Sequence, residues 1–159
     1  MSYDPVTRQF KNIDIGPSGP WKKNKMTFTI YGLLSDQSPE ISNESLAEDL
    51  KKYFRNESGF SLEFETLPFS SEPTLALYWG DWLVRVSYEE GEDVENDAKE
   101  IQRRTNSKID FSKFRRQIRM IFASDDDKKY TNEIIYLLDY LQEIEGVLVY
   151  DPQQNDFVQ

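Results

Sequence analysis

The stretch TLALYWGDWLVRVSY, residues 74–88, decides the fold class of this chain because it encodes two apolar strands joined by a two-residue turn. Gly80 and Asp81 are typical of a tight hairpin loop in which the glycine adopts a positive φ. The pairing that this loop predicts is Trp79 with Trp82, Leu77 with Val84 and Leu75 with Val86. One face of the hairpin is therefore wholly apolar, and we expect it to lie in the core.

Three further elements are predicted on the N-terminal side of this hairpin. Residues 26–31 and 60–65 alternate apolar and polar side chains, as half-buried strands do. Between them, apolar residues at helical spacing predict a helix from about Asn43 to Arg55. Ser45 followed by Glu48 fits a capping box, and Ser42 or Asn43 could also begin the helix. Strand 60–65 is expected to bury its Phe-Leu-Phe face and to expose its acidic face.

The C-terminal half predicts two helices and two strands. An acidic segment, Glu89 to Asp97, leads into a helix that closes with Arg103 and Arg104, an arrangement that suits the helix dipole. Residues 111–122 fit helical and strand spacing alike, and we favour a strand from about Arg115. After Asp125–Asp127, a broad apolar stripe predicts a buried helix that ends at Gly146. Residues 147–150 are predicted to form a closing strand. The apolar residues of that stripe are Ile134, Ile135, Leu137, Leu138, Leu141 and Ile144.

The order β-α-β-β-β-α-β-α-β predicts an α+β fold, with a mostly antiparallel sheet and its helices packed on one face. Residues 1–25 are rich in proline, glycine and lysine and predict an irregular N-terminal arm. Residues 26–159 have the usual size of one domain, so we expect a single α+β domain after the arm.

The composition of the chain indicates where the protein is located in the cell and what kind of partner it binds. The chain has no cysteine, no apolar run long enough for a membrane helix and no signal-peptide pattern, so we expect a cytoplasmic protein. Its formal net charge of −10 disfavours binding to nucleic acid or to an anionic membrane. The sequence therefore predicts a basic protein as the partner, and a monomer or weak dimer in solution.

The absence of histidine and cysteine argues against an enzyme. It excludes Ser-His and Cys-His dyads and the usual zinc ligands. The segment GPSGP at 16–20 lacks the phosphate-loop order, and its prolines cannot donate amide hydrogens, so we expect no cofactor. Carboxylate chemistry at Asp125–Asp127 remains as an alternative, a metal-dependent hydrolase, although three consecutive aspartates cannot all face one ion.

Acidic and aromatic residues around the hairpin are the candidates for partner contact. The acidic segment 89–97 comes first, the edge carrying Glu63 and Glu65 second, and the hairpin tryptophans are core residues or interface anchors. The predicted contact residues are Glu63, Glu65, Trp79, Trp82, Glu89, Glu90, Glu92, Asp93, Glu95 and Asp97. The basic stretch from Arg103 to Arg119 is expected to pair with these acidic segments inside the protein or to form a solvated face.

The C-terminal portion, IRMIFASDDDKKYTNEIIYLLDYLQEIEGVLVYDPQ at 118–153, resembles the layout of small bacterial immunity proteins that neutralise secreted or contact-delivered toxins. The chain also resembles these proteins in its size, in its acidity and in its lack of the usual catalytic residues. It implies stoichiometric capture of a cognate toxin domain, often a basic nuclease, by occlusion of its active site. These proteins share no compact motif, so no residue role is carried over. An acidic secretion chaperone or adaptor is the alternative binding function.

Overall fold

The computed structural model describes residues 26–66, 68 and 73–159. The predicted arm, residues 1–25, lies outside the described residues. The helices are α1 (Asn43–Tyr53), α2 (Glu92–Thr105) and α3 (Thr131–Gln142), with a 3-10 turn at Phe111–Lys113. The strands are β1 (Met26–Leu34), β2 (Phe60–Glu65), β3 (Thr74–Trp79), β4 (Trp82–Glu90), β5 (Arg116–Ala123), β6 (Leu148–Asp151) and β7 (Asp156–Phe157).

The seven strands form one antiparallel sheet in the order β2-β3-β4-β5-β1-β6-β7. The predicted α+β class and the predicted order of elements are confirmed. The short strand β7 was not predicted; it pairs with β6, with Tyr150 opposite Phe157. No helix in the described part of the chain has both the length and the apolar character needed to cross a membrane.

The chain divides into two compact units. Unit 1 contains the described residues of Met1–Phe28, Ile41–Tyr88 and Met120–Ser124. Unit 2 contains Thr29–Glu40, Glu89–Arg119 and Asp125–Gln159. The single domain predicted for residues 26–159 stays a prediction.

The predicted hairpin register is confirmed in unit 1. Leu77 pairs with Val84 and Trp79 pairs with Trp82, while Gly80 adopts a φ of 59°. A positive φ at the first loop position but not at the second, Asp81, is the geometry of a type II′ turn, whose twist matches that of the flanking strands. All residues of the apolar face predicted from the register are buried.

Helix α1 begins one residue after Ser42, the alternative start that the sequence left open. The Ser42 hydroxyl accepts a hydrogen bond from the backbone N–H of Ser45, and the Ser45 hydroxyl accepts one from the backbone N–H of Ser42. This reciprocal pair satisfies two amide groups at the start of the helix. The predicted pairing of Ser45 with Glu48 is wrong, because Ser45 itself supplies the returning side chain.

In unit 2, helices α2 and α3 pack on opposite faces of β1, which corrects the prediction that the helices share one face. Tyr31 and Leu33 form a buried cluster with Ala98 and Ile101 of α2. A Cβ at the intervening Gly32 would lie 3.2 Å from Cδ2 of Leu141 on α3. Successive strand residues point to opposite faces, so the two helices cover the two sides of this strand.

The ambiguous segment 111–122 divides into a 3-10 turn and strand β5, so the predicted strand is confirmed. The Asp110 carboxylate accepts a hydrogen bond from the backbone N–H of Ser112 and caps the turn. Every residue from Gln117 to Ala123 is buried. From Met120 to Ala123 both faces of the strand are apolar, so the alternation of Gln117 to Met120 does not continue, which explains the ambiguity.

Helix α3 buries less of its apolar stripe than the sequence predicted. Leu137 and Leu141 are buried, whereas Ile135 is exposed. The helix also ends at Gln142 and not at the predicted Gly146. Gly146 lies instead in the loop that leads to β6, where its φ is 74° and where a Cβ would clash with Oγ of Ser35.

Candidate functional site

The acidic segment 89–97 joins the end of β4 to the start of α2. Gly91 is the N-cap of α2, with a φ of 114° and no side-chain cap. Glu92, Asp93 and Glu95 occupy the first turn, where negative charge interacts favourably with the helix dipole. The side chains of Glu90, Glu92 and Asp93 are exposed, and they form the surface part of the segment.

The other acidic residues of the segment interact with the basic stretch. Glu89 forms an ion pair with Arg119, and Glu95 lies 3.8 Å from Arg115. Asp97, a residue of α2, is fully buried. The predicted pairing of the basic stretch with the acidic segment is therefore confirmed for Arg115 and Arg119.

Four side chains form a buried polar cluster in unit 2: Glu89, Asp97, Gln117 and Arg119. The Gln117 amide donates to Oε1 of Glu89 at 2.7 Å and to Oδ2 of Asp97 at 3.3 Å. Gln117 and Arg119 lie two residues apart on β5, so they point to the same face of the sheet. Sequence reasoning missed these two residues, although they alternate with the apolar residues of the strand.

The charge of Arg119 acts on two carboxylates in this cluster, those of Glu89 and Asp97. The Arg119 side chain is 2% exposed and that of Glu89 is 19% exposed. Burial raises the pKa of Asp97 to about 6, although the nearby Arg119 and the hydrogen bond from Gln117 oppose the rise. Glu89, which lies nearer to water, takes the ion pair, and Asp97 can hold a proton at mildly acidic pH. Being buried, Asp97 cannot contact a partner directly, which corrects its predicted role.

Replacing Asp97 by asparagine is expected to remove part of the pH dependence of stability. The native state binds a proton at Asp97 up to about pH 6, whereas an unfolded aspartate releases it near pH 4. The free energy of unfolding therefore falls as pH rises through this window, by on the order of 2 kcal/mol from this group. Chemical denaturation at pH 4.5 and 7.5 should show the Asp97→Asn variant gaining stability relative to wild type at the higher pH.

The exposed Asp93 provides the matched control for this measurement. Asp93→Asn removes the same charge from the same helix at an exposed position. Its stability relative to wild type should change little between the two pH values. If Asp97→Asn behaves in the same way as this control, Asp97 does not retain a proton in the native state.

Trp79 and Trp82 are core residues and not surface anchors. The Trp79 ring meets that of Phe54 edge to face at 5.0 Å, and Nε1 of Trp82 donates to the carbonyl of Ala123 at 3.1 Å. Both indole rings are nearly inaccessible to solvent. Their strands β3 and β4 are interior strands of the sheet, which is why the side chains at this turn are enclosed.

The second predicted acidic surface lies on β2. Glu63 is exposed, and Glu65 forms a 2.7 Å ion pair with the buried Arg85. Burial, together with the charges of Glu65 and Glu63, raises the pKa of Tyr78 on the neighbouring strand. The structure thus brings Glu63 and Glu65 together on one face, as alternate residues of a strand must be, and leaves Glu63 accessible to a partner.

Arg116 has a structural role in the basic stretch. Its guanidinium donates to the carbonyl oxygens of Ser35, Pro39 and Ser38 at 2.7, 2.8 and 3.0 Å. These three bonds hold the loop after β1 against the start of β5. Arg116 therefore stabilises a loop of unit 2. Its position in a charge-dense stretch of the sequence did not indicate this role.

The Asp125–Asp127 cluster shapes the loop before α3. The two carboxylate oxygens of Asp125 accept the backbone N–H groups of Lys129 and Tyr130 at 2.9 and 2.8 Å. Asp126 and Asp127 are exposed. Among the residues that the structure describes, no group of three or more acidic side chains is arranged to hold a metal ion.

Comparisons with protein families, with curated proteins and with solved structures find no match to this chain.

Proposed function

We propose that this protein is a cytoplasmic immunity protein that neutralises a basic toxin domain by binding it stoichiometrically. The observation that carries the proposal is the exposed acidic surface formed by Glu90, Glu92 and Asp93 at the start of α2. Closely spaced like charges repel one another, and a basic partner would relieve that repulsion. The formal net charge of −10 acts over longer range and would steer a basic partner toward the protein.

The inhibition is proposed to be steric. A bound protein needs only to cover the toxin's active site, and covering it requires no catalytic group on the inhibitor. The surface of Glu90, Glu92 and Asp93 would pair with lysine or arginine side chains around that site. Charge complementarity of this kind speeds association and disfavours wrong partners.

Titration of the protein against its cognate toxin domain should give inhibition that saturates near one inhibitor per toxin. A binding inhibitor is consumed as it acts, so the titration curve breaks at equivalence. The measurement is toxin activity at toxin concentrations well above the dissociation constant. Full inhibition at strongly substoichiometric amounts would contradict the proposal, because it would require turnover.

The rate of association with the same toxin domain tests the surface when the triple variant Glu90→Lys, Glu92→Lys and Asp93→Lys is compared with wild type. The variant should associate more slowly at low salt, and the difference should shrink as salt screens the charges. A matched control reverses Asp126 and Asp127, two exposed acids outside the segment. Circular dichroism should show that both variants fold. Equal association rates for the wild type and the triple variant at low salt would place the contact elsewhere.

A further inference from the structure

Among the strands that the structure describes, β2 lies at one edge of the sheet, and the described residues leave its apolar face incompletely covered. Phe64 is 48% exposed, and Phe60 and Leu62 are partly accessible. The sequence predicted that this face is core. An edge strand has a neighbour on one side only, so its apolar side chains extend past the residues that cover the interior strands.

The pairing register shows which backbone groups of β2 face the open side. Trp79 and Trp82 flank a two-residue loop and therefore form a hydrogen-bonded pair, which directs the backbone groups of Trp79 toward β4. Its partner on β2, Phe60, is then in a non-hydrogen-bonded pair. Because the two kinds of pair alternate, the N–H and C=O groups of Phe60, Leu62 and Phe64 point outward.

The charge on β2 indicates what kind of strand could pair with these groups. Glu63 is exposed on the face opposite Phe64, beside Glu65. Antiparallel pairing of two copies of β2 centred on Glu63 would place the two Glu63 side chains directly opposite each other, which is destabilising. A strand with lysine or arginine on that face would instead form favourable cross-strand pairs.

We propose that β2 is a docking edge that accepts an extended, basic strand of the partner protein, which adds to the sheet beside β2. Main-chain hydrogen bonds to Phe60, Leu62 and Phe64 supply affinity in this mode, and side chains on alternate positions supply specificity. Apolar residues of the added strand cover the Phe64 face, and its basic residues meet Glu63. The inference rests on the proposed function, since it states how the basic partner is held.

The test uses a blocked peptide of alternating lysine and valine as the probe, and a peptide of alternating glutamate and valine as its control. Backbone amide shifts and hydrogen exchange are followed by NMR at low salt. The lysine peptide should shift and protect the outward amides of Phe60, Leu62 and Phe64. The amide of Glu63, which already faces β3, should change little. The glutamate peptide should leave all four amides unchanged.

Three variants sharpen the result. Leu62→Pro removes one outward donor without removing a bond to β3, and it should weaken peptide binding about tenfold. Glu63→Lys keeps the backbone intact and should weaken it about fivefold. Asp126→Lys makes the same charge change at an exposed acid outside both proposed contact surfaces and should bind the peptide nearly as wild type does. If Leu62→Pro does not fold, the effect of Glu63→Lys on peptide binding tests the docking edge by itself.

Peptide-induced shifts confined to residues 90–93, or no shifts at all, would overturn the docking edge. So would toxin neutralisation that is unaffected by Glu63→Lys and by a folded Leu62→Pro variant. The proposed function would survive these outcomes as long as wild type inhibits its toxin at one-to-one stoichiometry. If wild type does not inhibit the toxin at one-to-one stoichiometry, the proposed function is wrong. This outcome differs from those that contradict only the docking edge, so the two proposals can be rejected separately.

Discussion

Replacing Arg119 by methionine is expected to lower the free energy of unfolding by about 3–5 kcal/mol, because it removes the buried cation that pairs with the Glu89 carboxylate and acts on the buried Asp97. Arg119 is 2% exposed and forms an ion pair with Glu89, and its charge also acts on Asp97. Methionine keeps most of the side-chain volume, so the loss reports charge and not a cavity. Urea denaturation at pH 7.5, where Asp97 is largely ionised, measures the effect.

Two further variants test the cause of that loss. Adding Glu89→Gln and Asp97→Asn to Arg119→Met should restore much of the lost stability, because the two carboxylate charges that Arg119 balanced are then removed with it. Arg103→Met should have little effect, because Arg103 pairs with Glu100 at the surface, where water and salt weaken an ion pair. An Arg119→Met variant as stable as wild type would show that the cluster does not depend on the arginine charge.

Replacing Leu77 by alanine is expected to lower the free energy of unfolding by about 2–5 kcal/mol, as the loss of a buried leucine side chain does. Leu77 is fully buried, on the interior strand β3, and it pairs with Val84 of β4 and Leu62 of β2. Alanine leaves a cavity that neighbours in two strands cannot fill without moving the sheet. Chemical denaturation measures the change in the free energy of unfolding.

Ser61→Ala provides the control for this prediction. Ser61 lies on the adjacent strand β2 and is exposed, so removal of its hydroxyl should change stability by less than about 0.5 kcal/mol. A loss below about 0.5 kcal/mol for Leu77→Ala as well would be inconsistent with a core position for the hairpin face.

The local patterns were sufficient to predict most elements of the fold. The hairpin around Gly80 and Asp81 follows from its two-residue loop, because the loop geometry and the two-residue period of a strand together leave one register. Strand β5 could be only weakly predicted, because its residues are buried on both faces. The sides on which α2 and α3 pack could not be predicted, since an apolar stripe shows that a helix is covered but not by which face of which strand.

The candidate site, too, could be predicted from the sequence only in part. Sequence alone located the acidic segment, because its charges are adjacent along the chain. It could not separate the exposed Glu92 and Asp93 from Asp97, which a helical turn places on the buried side of α2. Nor could it separate a surface tryptophan from a core one at the hairpin turn.

The class of the fold, the register of the hairpin and the acidic character of the protein follow from residue type and from spacing along the chain. Which charges are buried and which remain at the surface depends on the tertiary structure. The pairing of Glu89 with Arg119 joins residues 30 positions apart, and the open edge of β2 exists because no described strand follows it in the sheet. Burial and pairing depend on distances in space, which local patterns do not contain.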